Sequence, residues 1–435
     1  MNKKIPFFIF LFVILYSMNI KNGGIYKMKE YESLIKLYYK HFDTEKEYRA
    51  RIENPCAYIT NLEISPILRG ERVKDKKFPL FYLSLVKLNL LQQKISYNSK
   101  EILDLSSSLP STANMACIRD IMMNEINKSN GIEGVHSTKK ELYESMNTEK
   151  STRFYGIVNK YFQIIENNIE SISSPEEIRK MYDEIFKEDI LKNPENQLDG
   201  ILFRKDGIHV SDSKNSTIHT GDLSEEMIIE DIKTLIEFMN KDDIPSVIKG
   251  AIVHYYFEYI HPFYDGNGRF GRYLLSMYLA RKIDTYTGLS LSYAIFEDKK
   301  KYSELFLNTS NVKNYGEITF FIEGMLEFIV KGQESIIKML KEKILKLDYA
   351  NFYTGKLEDI EGKQKNILYI YIQNYIFSKN NPLSDNELLT HVRDIKSLIT
   401  LKRHLKKLTE LGYITQISKK PVVRTISDKV KEILP

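Results

Sequence analysis

Apolar residues recur along most of this chain at helical spacing. Ile178, Tyr182 and Ile185 share one face, directly after Ser174-Pro175-Glu176-Glu177. A Ser cap, Pro at the first position and Glu at the third make that a strong helix start. Ile228, Ile232, Leu235 and Met239 predict a second amphipathic helix, and Pro245 opens a third with Ile248, Ile252 and Tyr255 on one side. Between Ile201 and Gly221 the period changes. Ile208-His209-Val210, a polar tip from Ser211 to Ser216, and Thr217-Ile218-His219 predict a β-hairpin.

From about Gly355 the texture changes again. Ile367, Ile370, Tyr371 and Tyr375 predict a helix, Ser384 and Glu387 a capping box for a second, and Leu401, Leu405 and Leu408 a third that Gly412 stops. Tyr413–Ile417 and Val422–Ile426 predict short strands around a Ser-Lys-Lys-Pro turn. Three helices followed by a β-ribbon is the layout of a winged helix-turn-helix. No repeat of 20–50 residues is visible.

At 435 residues the chain is too long for one ordinary core and predicts two or three domains. Its 43% apolar and 28% charged residues exclude wholesale disorder and a polytopic membrane protein. Two cysteines, Cys56 and Cys117, exclude a disulfide scaffold and a cysteine-built zinc site, and suit a reducing cytosol. Lys3 and Lys4 before the apolar run Ile5–Met18 have the shape of a signal peptide, yet no small-x-small cleavage site follows. The run falls short of the roughly 20 apolar residues of a membrane span. Gly23-Gly24 lies where a ribosome-binding site would be encoded for a start at Met28. Residues 1–27 are therefore expected to be a hydrophobic leader or an early-placed start, and the protein cytoplasmic. The rival expectation is a membrane tether through residues 5–18.

The candidate chemistry lies in His261-Pro262-Phe263-Tyr264-Asp265-Gly266-Asn267-Gly268-Arg269-Phe270-Gly271-Arg272. One helix ends near Ile260 and another begins near Asn267 or Gly268, so the residues between form a glycine-bearing loop feeding a helix N-terminus. Exposed backbone N–H groups and the positive dipole end make an anion site there. Gly266 and Gly268 let the backbone approach a phosphate. Arg269 and Arg272, three apart on the new helix, suit two phosphates of a polyphosphate. Asp265 is a hard oxygen ligand for Mg²⁺, and His261 a base at neutral pH. A base, a metal ligand, a phosphate nest and two arginines describe phosphoryl or nucleotidyl transfer.

This stretch resembles the Fic-family signature His-x-Phe-x-Asp/Glu-Gly-Asn-Gly-Arg-x-x-Arg at every specified position. The resemblance implies an all-helical Fic core, a β-hairpin flap and transfer of AMP from ATP to a Ser, Thr or Tyr hydroxyl of a target protein, possibly the chain itself. It implies His261 as the base, Asp265 as the Mg²⁺ ligand, and Gly266, Asn267 and Gly268 as the anion hole. Arg269 would take the β-phosphate, Arg272 the γ-phosphate, and Phe263 would be a buried anchor. Gly-Asn-Gly, where the kinase-like Doc branch has Ala-Asn-Lys, argues for AMP over phosphate transfer.

Ser129-Asn130-Gly131-Ile132-Glu133-Gly134 resembles the family's inhibitory motif, Ser/Thr-x-x-x-Glu-Gly/Asn. It implies that Glu133 pairs with Arg272, in bidentate fashion, and takes the place of the γ-phosphate. In some relatives the same Glu positions a water that removes AMP, so de-AMPylation stays open. The hairpin from Ile201 to Gly221 resembles the family's flap, whose edge can register a target by β-augmentation. Tyr302, in Lys299-Lys300-Lys301-Tyr302, resembles the family's adenine-side tyrosine. The resemblance covers roughly residues 110 to 330 and makes a homodimer plausible.

From His391 to Arg424 there are nine basic residues and two acidic ones, a net of +7 against +5 for the whole chain. That excess on the recognition helix and wing is the footprint of duplex phosphates. A DNA-binding regulator with a nucleotide-sensing core is the alternative to an enzyme. The expected architecture is mainly α: an N-terminal helical region over 28–150 with the inhibitory motif, a Fic core over 151–345, and a winged helix over 356–435.

Overall fold

The computed structural model describes residues 31–147, 152–211, 217–378, 382–392 and 394–434. The leader and the hairpin tip from 212 to 216 fall outside the described residues, as does Arg393 of the basic C-terminal set. The described residues are mainly helical and include four small two-stranded sheets.

Two short helices come first, α1 (Leu34–His41) and α2 (Glu45–Ile52). The region expected to be helical throughout then turns to strands: β1 (Ala57–Ile64), β2 (Ile67–Leu68), β3 (Glu71–Arg72) and β4 (Phe78–Leu83). β1 pairs antiparallel with β4, and β2 with β3. The reason is a period of two. Thr60, Leu62 and Ile64 turn inward while Ile59, Asn61 and Glu63 stay exposed, and no helix can bury alternate residues.

Helices α3 (Val86–Ser107), α4 (Ser111–Ile132), α5 (Lys139–Asn147), α6 (Tyr155–Ile165) and α7 (Pro175–Phe186) follow. α7 carries the predicted capping box: the Ser174 hydroxyl accepts from the Glu177 N–H and the Glu177 carboxylate from the Ser174 N–H. The predicted hairpin is present as β5 (His209–Ser211) and β6 (Thr217–Thr220). Then come α8 (Glu225–Asn240), α9 (Ser246–Ile260), α10 (Asn267–Lys282), α11 (Thr285–Gly288), α12 (Leu291–Phe296) and α13 (Lys299–Ser310). The 38-residue α14 (Thr319–Lys356) packs along α3 and runs past the expected domain boundary at 345. Buried side chains from β1 through α14 form one continuous core. Among the described residues no helix is long and apolar enough to cross a membrane. Cys56 and Cys117 are both free thiols.

The C-terminal unit is α15 (Gly362–Phe377), α16 (Asp385–His391), α17 (Leu398–Glu410), β7 (Ile414–Lys419), β8 (Val422–Ile426) and α18 (Asp428–Lys431). This order of helices and hairpin agrees with the sequence expectation. Leu401, Leu405 and Leu408 are fully buried in a separate core with Ile367, Leu368 and Ile372. α15 also packs on α4, so the two cores meet on the helix that carries the Ser129–Gly134 motif.

Candidate functional site

The site is built where α9 ends and α10 begins. His261 is the C-cap residue of α9 and adopts the left-handed conformation at φ 54°, uncommon for a residue with a side chain. One buried arginine holds it there. Arg204 donates from Nε to the His261 carbonyl at 2.7 Å, from Nη2 to the Ile260 carbonyl at 3.1 Å, and from Nη1 to the Asp222 carbonyl at 2.6 Å and to that of Asp206. All four of these acceptors are carbonyls, and burial pulls the guanidinium down to about 10, with the Asp222 carboxylate opposing. The loop is pinned from within as well. Phe263 is fully buried and stacks on Tyr182 with centroids 3.6 Å apart. The Asn267 side chain bridges back to Phe263, accepting from its N–H at 3.0 Å and donating to its carbonyl at 2.7 Å. Asn267 therefore contributes only its backbone N–H to an anion site.

Gly266 is the N-cap of α10 at φ 80°, a position where a side chain would be strained, and no side chain caps the helix. The first-turn N–H groups of α10 thus remain available. Arg272, one turn on, is 1% exposed, and three of its donors are engaged. Nε donates to Ser129 Oγ at 3.0 Å, Nη2 to the Ser129 carbonyl at 2.9 Å, and Nη1 meets Glu133 Oε1 at 2.7 Å. Glu133 thus meets the fork at Nη1, while Ser129 holds Nε and Nη2. Burial works against the Arg272 charge, but Glu133, Tyr302 and Glu258 outweigh it and the guanidinium is held protonated. A Cβ on Gly268 would lie 2.1 Å from Glu133 Oε1, so only glycine there lets the carboxylate reach the first turn of α10.

The Ser129–Gly134 motif ends α4, with Glu133 as C-cap and Gly134 at φ 72°. Two turns earlier on the same face sits Glu125, fully buried. It accepts from the Ser292 N–H at 3.0 and 2.8 Å and from the Ser276 hydroxyl at 3.3 Å. Burial raises its carboxyl to about 7. Sequence reasoning missed Glu125 as an anchor, although the four-residue spacing of 125, 129 and 133 was legible.

Glu133, His261, Gly268, Arg272 and Tyr302 line one cavity of 570 Å³. Its far wall is α13, through Tyr302, Phe306 and Ser310, and its roof is the hairpin, through Val210, Thr217 and Ile218. Tyr302 is buried, and its hydroxyl meets His254 Nε2 at 2.7 Å. Arg269 is not in the cavity wall. It pairs with Asp189 at 2.7 Å and lies over the Phe186 ring. Asp265 is exposed at the loop's edge; Oδ1 accepts from the Gly266 N–H at 2.6 Å. Among the described residues no cluster of three or more metal-ligating side chains occurs.

Burial, and then Arg204, lower His261 to about 4, with the Glu258 carbonyl and Glu133 opposing. Its imidazole is therefore neutral at neutral pH. Nδ1 faces the Glu258 carbonyl at 3.4 Å, which leaves Nε2 as the free acceptor. The Glu258 carboxyl also lines the cavity and is pushed up to about 8 by burial, Arg272 opposing. No sequence motif marks Glu258 or Arg204.

Residues 172–279 match the family model described as Fic/DOC family. The chain thus carries a Fic-family domain, and the paired histidine loop and arginine helix lie inside it. It is 29% identical over 110 residues to the protein adenylyltransferase fic-1 of Caenorhabditis elegans, covering 24% of this chain and 21% of that one. It is 36% identical over 72 residues to a probable protein adenylyltransferase, aq_aa38, of Aquifex aeolicus, covering 16% and 20%. The chain thus spans about a fifth of the length of these curated relatives. Among solved structures, a Fic family protein from Desulfovibrio desulfuricans G20 aligns with a TM-score of 0.49 at 15% identity, over 80% of this chain and 98% of that one. Fic-1 of C. elegans aligns with a TM-score of 0.40 at 17% identity, over 59% and 73%.

Proposed function

We propose that this chain is a protein adenylyltransferase held inactive by its own Glu133. The observation that carries the reading is the 2.7 Å contact from Glu133 to Arg272 in the cavity that also holds His261. ATP would enter with its base toward Tyr302 and its terminal phosphates toward Arg272 and the uncapped start of α10. Glu133 occupies that phosphate end. With Glu133 displaced, the target hydroxyl oxygen would attack the α-phosphorus. The bond from that phosphorus to the α–β bridging oxygen breaks, pyrophosphate leaves, and the hydroxyl proton moves to His261 Nε2. Asp265 would hold Mg²⁺ through an exposed carboxylate, a fit to a cation that takes few protein ligands and completes its shell with phosphate oxygens and water. The ion would offset charge on the departing pyrophosphate. For Arg269 to take a phosphate it would have to leave Asp189.

The neutral imidazole sets the acid limb of the rate. In a Glu133→Gly variant, which also removes a charge that raises His261, kcat/KM is expected to stay flat from pH 8 down to about 5 and to fall only as His261 protonates at or below its lowered value of about 4. A pH–rate profile with an acid midpoint at the ordinary histidine value, about 6.5, would contradict a buried neutral base.

Removal of AMP by the same site is a second reading. The Glu133 side chain is 38% exposed, with a face on the cavity beside His261, where it could orient a water. The readings separate on one variant: Glu133→Gly gains AMP transfer under the first and loses AMP removal under the second.

For the C-terminal unit we infer a winged helix that binds duplex DNA. Lys402, Arg403 and Lys406 are exposed on one flank of α17, Lys419 and Lys420 on the hairpin turn, and Ser397 makes no side-chain cap to the start of α17. Arg424 is not part of that surface, being paired with Asp385. The double variant Lys402→Glu/Arg403→Glu is expected to weaken DNA binding at least about tenfold at low salt and to flatten its salt dependence. Fluorescence anisotropy with a random duplex checks this, and unchanged binding would reject it.

A further inference from the structure

The nucleotide cavity receives Ile67, Arg69 and Gly70 from far upstream of the Fic-matched segment. β2 and β3 form a minimal hairpin whose two loop residues are Arg69 and Gly70, with register Ile67 to Arg72 and Leu68 to Glu71. Their φ values are 55° and 87°. Positive φ at both central positions is the requirement of a type I′ turn, whose first position favours Asn, Asp or Gly. An arginine there is conformationally costly, and strain of this kind points to a side chain kept for what it does.

The hairpin is fixed to both walls of the cavity. At one end Ile67 bridges Asn311, just past α13, and its carbonyl accepts from the Val312 N–H at 3.3 Å. At the other, the Gly70 carbonyl accepts from the Thr220 hydroxyl at 2.8 Å, and a Cβ on Gly70 would lie 2.2 Å from the Thr217 carbonyl oxygen. Arg72 anchors the base: it pairs with Asp222 at 2.5 Å, donates to the Thr220 and Tyr259 carbonyls, and lies over the Tyr259 ring. Between these anchors Arg69 lines the cavity, exposed, and makes no hydrogen bond or ion pair with another described residue. The hairpin therefore holds at the cavity a guanidinium that is unpaired among the described residues, between its anchors on Asn311 after α13 and on Thr220 of the flap. Arg272 and the start of α10, which meet Glu133, line the same cavity next to Tyr302 at the N-terminal part of α13, away from the Ile67–Asn311 bridge at its C-terminal end.

We propose that Arg69 is a nucleotide-specificity residue, its planar guanidinium covering the face of the nucleobase at the α13 end of the cavity. The proposal rests on the nucleotide reading of this cavity given above. The phosphates already have Arg272 and the α10 amides, whereas the apolar share of the lining comes from Ile67 of the same hairpin, Ile218 of the flap, and Phe306 and Leu307 of α13. A flat, apolar-faced ring fits that wall, and a guanidinium stacks on such a ring.

The test uses the full chain in the Glu133→Gly background and measures Kd for ATP and for inorganic tripolyphosphate by calorimetry, the latter by competition if weak. Arg69→Asn suits the turn, so the thermal midpoint is expected to hold or rise. ATP affinity is expected to fall roughly 5- to 30-fold, with tripolyphosphate unchanged. Arg69→Lys, which keeps the charge and loses the plane, is expected to behave like Arg69→Asn. Equal weakening of both ligands, or full rescue by Lys, would mean a phosphate contact and overturn the proposal. Unchanged ATP binding in Arg69→Asn would overturn it while leaving the nucleotide site intact. Failure of the Glu133→Gly parent itself to bind ATP would bring down both this proposal and the function it rests on.

Discussion

Glu133→Gly is expected to switch the protein on. With Mg²⁺ and ATP, the variant should gain AMP on itself or on a target while the wild type stays unmodified, as read by intact-protein mass. The size follows from what Glu133 occupies. Nη1 of a 1%-exposed Arg272 is committed to it, and a hydrogen bond to a charged group is worth about 1.5–3 kcal/mol. Glu133 itself is 38% exposed, so solvent trims the carboxylate's share. Freeing that donor for phosphate corresponds to roughly 10- to 100-fold in productive ATP occupancy. A larger gain would add correct alignment of the α-phosphate, since geometry multiplies rate independently of affinity. Because Ser129 keeps its two bonds to Arg272, the guanidinium should stay in place and the variant should fold normally. No modification of the variant, with ATP bound, would remove the latch from the account.

His261→Ala in the same Glu133→Gly chain should abolish that gain. A positioned general base contributes about 10²–10⁴-fold, and the other titratable groups of the cavity are poorer bases at neutral pH. Glu258 is pushed up to about 8 by burial and is protonated there, while His219, lowered to about 3 by burial, is the weaker base and has Nε2 engaged by the Tyr259 carbonyl at 2.9 Å. ATP affinity should change little if, as proposed, His261 serves the target hydroxyl and not the phosphates. Calorimetry alongside the mass measurement separates the two effects. Loss of ATP binding together with transfer would place His261 in nucleotide binding and leave the base unassigned. The deletion is also expected to be tolerated structurally, because Arg204 holds the backbone carbonyl of residue 261 and not its ring.

The coupling of the two cores gives the proposed latch a physical setting. α15 packs on α4, and α4 ends in Glu133. Glu125, bound to Ser292 and Ser276, fixes that helix to the Fic domain. Whatever frees Glu133 must therefore move the end of a helix anchored two turns earlier, or swing the carboxylate alone. The last turn of α4 carries no basic residue of its own, but Lys299 of α13 donates to the Gly131 carbonyl at 3.2 Å, so fraying of the α4 C-terminus around Gly134 must break that contact.

Much of this protein was legible in its residues. Local rules account for the capping box at Ser174, the helices with four-and-three apolar spacing, the hairpin around 209–220 and the C-terminal helices with their ribbon. Each depends on neighbours within about four positions, where propensity and periodicity act. The twelve residues from His261 to Arg272 displayed their chemistry because loop, helix start and side chains are contiguous. The strands over 57–83 were also written locally, in the alternation of Leu62 and Ile64 with Asn61 and Glu63, beneath an expectation of helices.

Only the tertiary structure decided the rest, since it rests on contacts between residues far apart in the chain. Arg204 reaches His261 across 57 positions, Ser129 reaches Arg272 across 143, and Arg72 reaches Asp222 across 150. Nothing local distinguishes these side chains from ordinary surface arginines and serines. The division of the two signature arginines, Arg272 into the cavity and Arg269 onto Asp189, is likewise a matter of what packs beside each. The sequence by itself determined which groups could do chemistry; burial and long-range pairing determined which are charged, which are engaged and which, like Arg69, have no partner among the described residues.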